Sequence, residues 1–266
     1  MKKNDYIIDT HTHIGYWPNL TKTQNDLLAS NKDFNINYSL VSFDGTEFKE
    51  HKRGRILNQI LASKKCLKFV KENKHLGMLI WVRPHLEKNI EEVDSFISKH
   101  LEYIHGIKFH PRCSKLRITD PRFLPYLELA RKYKLPILVH TANDTYSKIK
   151  YLEKIAKQNP DVIFIAAHLE LGTNNVDAIN LLATCDNVYG DTAWVNMESL
   201  LLAKKLNVIN KIMFGTDNPI DGYDTLNNEI YQNYFSNKIK LTKKDYQNVM
   251  YKTALKVYKI KTEDLY

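Results

Sequence analysis

The chain is poor in several features that would assign it quickly. It has three cysteines in 266 residues, Cys66, Cys113 and Cys185, far apart and with no C-x-x-C pair. That argues against a disulfide framework or a thiolate zinc site, and buried, inert thiols are expected. No apolar run approaches the ~20 residues that span a bilayer, so no membrane association is expected. The start, "MKKNDYIIDTHTH", carries two lysines, but Asp9 and His11 interrupt any signal-peptide core, and a cytoplasmic protein is the expectation. Glycine totals nine, and none of it forms a G-x-G-x-x-G loop, which argues against a dinucleotide-binding, doubly wound sheet. Linkers, internal repeats and low-complexity tracts are also missing, so residues 1–266 read as a single domain.

The net charge of +9 raises nucleic acid as a partner. The lysines, however, are scattered at helical-surface spacing, and no aromatic-interleaved basic motif accompanies them. Solvated helix faces account for the charge, so no nucleic-acid partner is expected. A small anionic substrate is compatible with it.

What the chain does have is a regular alternation. Eight short apolar runs, at 6–14, 38–43, 76–84, 104–111, 136–141, 162–168, 187–193 and 211–217, are separated by longer amphipathic stretches such as 120–134, 145–159 and 196–206. In the first of these stretches Phe123, Leu124, Leu127 and Ala130 recur at helical spacing. Asp120 is suited to cap that helix and Pro121 to open it. Strand and helix alternating eight times predict parallel strands joined by crossover helices, an α/β fold of the (β/α)8 TIM-barrel class. Two segments depart from the repeat: a long connection after the first strand, 16–36, placed over the barrel mouth, and an extra C-terminal helix, 241–259, with Val249, Ala254, Leu255 and Tyr258 as its apolar face.

In such a barrel the chemistry sits at the C-terminal ends of the strands. Six of the ten histidines, His11, His13, His85, His110, His140 and His168, fall at or near that end of a predicted strand, along with Arg83, Lys108, Asp191 and Asp217. On a strand, residues i and i+2 share a face, so His11 and His13 are expected to project together into the mouth, as two ligands of one divalent metal. His140 is a candidate third ligand and Asp217 a fourth; three or four protein ligands plus water describe a catalytic site. Asp217 is also the candidate general base. Asp9, one step deeper on the same strand, is either an acceptor for a ligand imidazole or a buried polar residue of a barrel layer. Arg83, Arg112 and His110 are candidates to bind a substrate carboxylate, and Trp17 and Trp194 to wall the pocket.

The motifs "DTHTH", "KFHP", "VHT", "AAHLELG" and "FGTDNP", in this order, resemble the amidohydrolase superfamily. Within it the likeness is to metal-dependent TIM-barrel hydrolases and decarboxylases related to aminocarboxymuconate semialdehyde decarboxylase, the amidohydrolase 2 type. The final "NVMYKTALKVYKI" resembles that group's terminal helix, with Thr253-Ala254 where Asn-Ala is usual. The resemblance implies one metal ion, Zn2+ or Mn2+, held by His11, His13, His140 and Asp217. It also implies that His168 handles protons or polarises the substrate. In branches with two metals a carboxylated strand-4 lysine bridges them, which makes Lys108 a candidate second-metal ligand. The expected reaction is hydrolysis of a C–O or C–N bond by a metal-activated water, with non-oxidative decarboxylation of a small unsaturated or aromatic acid as the alternative. A related deoxyribonuclease type would place a glutamate ligand near the end of strand 3 or 4, where this chain offers none. A non-catalytic metal-binding protein is a further alternative, which nothing in the sequence favours. A homodimer is common among the relatives, but the sequence carries no interface signature.

Overall fold

The computed structural model describes residues 6–17, 20–47, 55–87 and 89–265; for residues 16, 17, 20–22, 45–47, 55 and 56 only the backbone is described. All eight expected strands are present: β1 (Ile8–Trp17), β2 (Tyr38–Glu47), β3 (Leu76–Trp81), β4 (Ile104–Phe109), β5 (Ile137–Ala142), β6 (Phe164–Leu171), β7 (Val188–Asp191) and β8 (Ile212–Met213). Each pairs in parallel with the next, from β1 through β8. The strands read as near-continuous apolar runs because both faces are covered, by the packed barrel interior and by helices. Every residue of β3 and β5 is buried.

The ring closes between β1 and the chain leaving β8. Thr10 donates its backbone N–H to the Phe214 carbonyl at 3.0 Å, Asp217 to the His11 carbonyl at 2.7 Å, and His13 to the Asn218 carbonyl at 2.8 Å. The Asp9 carboxyl ties the same seam, accepting the backbone N–H groups of His11 and Thr216, both at 3.1 Å, and the Thr216 hydroxyl at 2.5 Å. Asp9 therefore reaches no imidazole; of its two expected roles it fills that of a buried structural residue. Burial pushes its carboxyl up to about 8 against those three hydrogen bonds.

The eighth strand is shorter than the 211–217 run predicts. Its ladder ends at Met213, and the Phe214 N–H instead donates to the Val249 carbonyl at 2.8 Å. That carbonyl lies in a π-helical turn, Asn248–Lys252, between the helical segments Lys243–Gln247 and Thr253–Tyr258. Wider π-turn spacing leaves such a carbonyl available. The C-terminal helix is thus present as expected, Thr242 caps it, and Val249, Ala254 and Tyr258 are buried while Leu255 is half-buried.

The connection after β1 is more ordered than expected. It forms a short antiparallel pair, Gly15 with Lys22 and Trp17 with Leu20, then the crossover helix α1 (Gln24–Asp33), whose N-cap Thr23 accepts from Asp26. The helix predicted over 145–159 begins at Ile149 as α2 (Ile149–Gln158). The Asp144 carboxylate accepts the N–H groups of Tyr146 and Ser147, holding them in a turn, and Glu170 accepts that of Ile149. Asp120 and Pro121 start their helix as expected. None of the three cysteines is in a disulfide, and Cys66 and Cys185 are buried. Among the described residues no helix is long and apolar enough to cross a membrane.

Asp9→Ala removes three hydrogen bonds and leaves two buried N–H groups without an acceptor, so it should cost at least about 2 kcal/mol. Urea denaturation measures this; an unchanged midpoint would show that the seam does not need the Asp9 carboxyl.

Candidate metal and active site

The C-terminal ends of β1, β3, β4 and β5, with the chain after β8, enclose a cavity of about 220 Å³. It is lined by His11, His13, Trp81, Lys108, His110, Arg112, His140, Leu171, Asp217 and Ile220. A larger depression, about 760 Å³, lies at the opposite end of the barrel around Tyr38, His105 and the C-terminal segment, and holds none of these groups. Volume alone is a poor guide here; the convergent polar groups mark the smaller cavity.

His11 and His13 project together, as the two-residue repeat of a strand requires, with ring centroids 5.1 Å apart. Each ring turns one nitrogen outward and one inward. His11 Nδ1 donates to Asp191 Oδ2 at 2.8 Å, and its Nε2 lies 3.2 Å from Asp217 Oδ1. His13 Nδ1 faces Ser42 Oγ at 2.9 Å and Asp44 Oδ1 at 3.3 Å, and its Nε2 lies 2.8 Å from Asp217 Oδ1. One atom from each of His11, His13 and Asp217 falls within 4.8 Å of the others, all three residues buried. Gly215 permits this approach: a Cβ there would lie 3.0 Å from His11 Cβ and 3.2 Å from Asp191 Cβ.

Asp217 sits in the left-handed region, φ 67°, and the neighbouring site residue His168 does the same. Such non-glycine residues cost on the order of 1–3 kcal/mol each and persist where the surroundings over-determine them. Oδ2 of Asp217 accepts from Trp194 Nε1 at 3.3 Å, leaving Oδ1 towards the imidazoles. Burial alone would raise the Asp217 carboxyl, but the His11 and His13 imidazoles outweigh it and hold the group well below the usual carboxylate range. Burial pushes Asp191 up, opposed by His168 and Lys108.

His140 closes the far side. Its Nδ1 lies 3.1 Å from His168 Nε2, and its ring stacks on His110 at 4.0 Å, which stacks on Trp81 at 5.1 Å. Burial lowers His140 well below its ordinary value, helped by His110 and His168, and takes His168 down to about 4. His140 Nε2 is buried and has no hydrogen-bond partner. An unpaired buried imidazole nitrogen costs about 1–3 kcal/mol unless something accepts its lone pair. Neutral imidazoles and a carboxylate on one cavity are the donor set that zinc and manganese take, so these residues fit a divalent ion.

The other expected site residues divide. Lys108, fully buried on β4, places Nζ 2.5 Å from His11 Nε2. Arg112 is exposed and lines the cavity, and His110 lines it from within the stack. Arg83 does not line the cavity: its guanidinium donates to the Leu57 carbonyl and its backbone N–H to Gln59. Its guanidinium is committed to that backbone carbonyl rather than presented to the cavity. Trp194 hydrogen-bonds Asp217 but is not among the residues lining the cavity; the side chain of Trp17 lies outside the described residues. Three further groups carry the site without having been assigned a role: Asp191, Asp44 and Trp81. Asp191 was visible as the polar end of the seventh run. Asp44 and Trp81 were masked by lying inside or just beyond strand-like runs.

No curated protein matches the chain. Solved structures do, at low identity and over nearly the whole length. A probable 2-pyrone-4,6-dicarboxylic acid hydrolase from Acinetobacter baumannii, with citric acid bound, superposes with a TM-score of 0.67 at 12% identity, covering 96% of this chain and 99% of that one. The 5-carboxyvanillate decarboxylase of Sphingomonas paucimobilis gives 0.69 at 11%, with 96% and 99% covered. The 5-carboxyvanillate decarboxylase of Novosphingobium aromaticivorans, complexed with manganese and a nitrobenzoic acid, gives 0.70 at 9%, with 97% of each chain covered. These likenesses establish the fold as a TIM barrel. Residues 8–260 match the family model described as amidohydrolase, and the chain belongs to that family.

Proposed function

We propose that this chain is a metal-dependent hydrolase that uses water to cleave a C–O or C–N bond of a small anionic substrate. The observation that carries the reading is the convergence of His11 Nε2, His13 Nε2 and Asp217 Oδ1, while His140, whose Nε2 has no partner, lines the same cavity outside that close group. These four atoms would hold one divalent ion, Zn2+ or Mn2+. Such an ion supplies Lewis acidity and lowers the pKa of water towards ~7. Lys108 donates to the same His11 lone pair, so loading the site displaces that hydrogen bond.

Asp217 is the general base. Its carboxylate stays ionised; with Oδ1 committed to the ion, Oδ2, which accepts from Trp194 Nε1 and keeps a second lone pair, would take a proton from the attacking water and return it to the departing oxygen or nitrogen. Asp191 and the Ser42 hydroxyl hold the outer nitrogens of His11 and His13, with the Asp44 carboxylate 3.3 Å behind His13, which fixes the ring orientations. Arg112, at the mouth, draws in and orients an anionic group. The cavity of about 220 Å³ admits only a small substrate.

Decarboxylation of a small aromatic or unsaturated acid is the second reading. The aromatic lining favours it, since the ring edges of Trp81, His110 and His140 share the cavity with Arg112, a setting suited to a planar acid. So does the fold shared with decarboxylases acting on aromatic acids. Carbon dioxide release from candidate acids separates the two: release without net water addition assigns the second.

Asp217→Asn should lower kcat/KM on the order of a thousandfold with the melting temperature kept, because it removes the base while preserving shape. Full activity in a metal-free His11→Ala/Asp217→Asn double variant would refute the mechanism. Dialysis against a chelator should abolish turnover, and one equivalent of Zn2+ or Mn2+ should restore it. Two bound equivalents by elemental analysis would instead assign Lys108 as a carboxylated bridge, with His168 and Asp191 near the second ion. Arg112→Ala should raise KM for an anionic substrate about tenfold and leave that for a neutral analogue unchanged.

A further inference from the structure

We infer that Tyr231 is a positioning residue: its hydroxyl supplies a rung that the backbone ladder lacks between the chain after β7 and the chain after β8, and so holds the indole N–H of Trp194 against the Asp217 carboxylate. The inference rests on reading Asp217 as a metal ligand and general base.

The argument starts where the ladder stops. The pairing of β7 with β8 ends at Asp191 with Met213, and the Thr192 N–H still reaches the Met213 carbonyl at 3.0 Å. Beyond that point side-chain hydroxyls take over. Thr192 Oγ1 donates to the Gly215 carbonyl and accepts the Gly215 N–H, both at 3.1 Å. One step further out, the Tyr231 hydroxyl accepts the Trp194 N–H at 3.2 Å and donates to the Thr216 carbonyl at 2.5 Å. A backbone N–H only donates and a carbonyl only accepts, so the direction of both bonds is fixed. The phenol comes from outside the barrel strands, on the helix Glu229–Phe235, and is fully buried. A helix side chain thus stands in for a main-chain rung, and two backbone groups depend on it for a partner.

One end of this bridge is a fixed anchor. The N–H and hydroxyl of Thr216 are both held by the Asp9 carboxyl, at 3.1 and 2.5 Å, so the carbonyl that Tyr231 bonds belongs to a residue already pinned to β1. The other end carries the effect to the site. Trp194 sits in the left-handed region, φ 58°, where a bulky residue persists only if its surroundings over-determine it. The Tyr231 hydroxyl on its N–H is one such restraint. The Tyr231 ring, edge-on to the indole with centroids 5.6 Å apart, is another. So placed, indole Nε1 donates to Asp217 Oδ2 at 3.3 Å, which restrains rotation of the carboxylate and occupies one lone pair of the oxygen that takes the proton. Trp194 does not line the cavity, so it acts on the carboxylate and not on a substrate.

Two experiments test this on the intact chain. The first is 15N–1H NMR of the metal-free protein labelled at its three tryptophans, with the Trp194 indole signal identified by its loss in Trp194→Phe. That signal should shift and exchange faster with solvent in Tyr231→Phe, as in Asp217→Ala, with the far-UV circular dichroism kept. An unmoved signal in Tyr231→Phe overturns the inference. Should Tyr231→Phe fail to fold, the wild type decides: the Trp194 backbone N–H should exchange slowly, and fast exchange overturns the bridge. The second experiment measures Zn2+ affinity by competition with a chromophoric chelator. Tyr231→Phe and Trp194→Phe should each weaken binding about tenfold, as loss of a hydrogen-bond partner behind a ligating carboxylate does. The double variant should bind no more weakly than Trp194→Phe alone, because Tyr231 acts through the indole. Additive losses, or unchanged affinity in Trp194→Phe, would count against the inference. Failure of the wild type to take up any divalent ion would sink the proposed function, and the NMR result then decides the bridge alone.

Discussion

The seam between β1 and the chain leaving β8 is the constraint on which the rest depends. The hydrogen bond from the Asp217 N–H to the His11 carbonyl, at 2.7 Å, joins residues 206 positions apart in the sequence (217 minus 11). It closes the barrel and in the same stroke sets Asp217 against His11 and His13. The left-handed backbone at Asp217 follows from it, since the chain must leave the ladder there to present its carboxylate inward. A barrel closed one residue out of register would keep its core but turn the two imidazoles to the other face.

Around that seam many ionisable groups are buried: Asp9, Asp44, Asp191, Asp217, Lys108 and five histidines, His11, His13, His110, His140 and His168, on or beside one cavity. Charges in such a place are costly unless paired. The structure meets the cost by division of labour. Asp9 serves the backbone, Asp191 and Ser42 serve the outer imidazole nitrogens, and Lys108 reaches His11 Nε2 at the centre. The inner nitrogens and Asp217 Oδ1 face one another at 2.8 and 3.2 Å, beside Lys108 Nζ. Rigidity comes from the same source, because the ligand rings are clamped by acceptors behind and by the Trp81–His110–His140 stack at the side.

Much of this was legible without coordinates, and the reasons are local. The HxH pair declares a shared face because strand geometry has a period of two. The order of polar residues at the ends of eight apolar runs declares the rim, and the helix starting at Asp120-Pro121 follows from capping chemistry. What escaped was decided by non-local partners. Arg83 closes a strand in the sequence as well as Arg112 flanks one, yet of the two Arg112 lines the cavity; the Arg83 guanidinium is taken by the Leu57 carbonyl, a partner 26 residues back in the chain. Asp9 could not be told from a second acceptor of the imidazoles until Thr216 was found beside it.

The sequence by itself determined the class of fold and the identities of the metal-type donors, because hydrophobic period and residue chemistry are properties of the chain read in order. Only the tertiary structure decided which nitrogens of His11 and His13 face inward, that Asp191 holds both the His11 ring and the His168 backbone, and that His168 lies against His140. Those facts depend on hydrogen bonds between residues from different strands, whose distances and directions are fixed when the ring closes and not before.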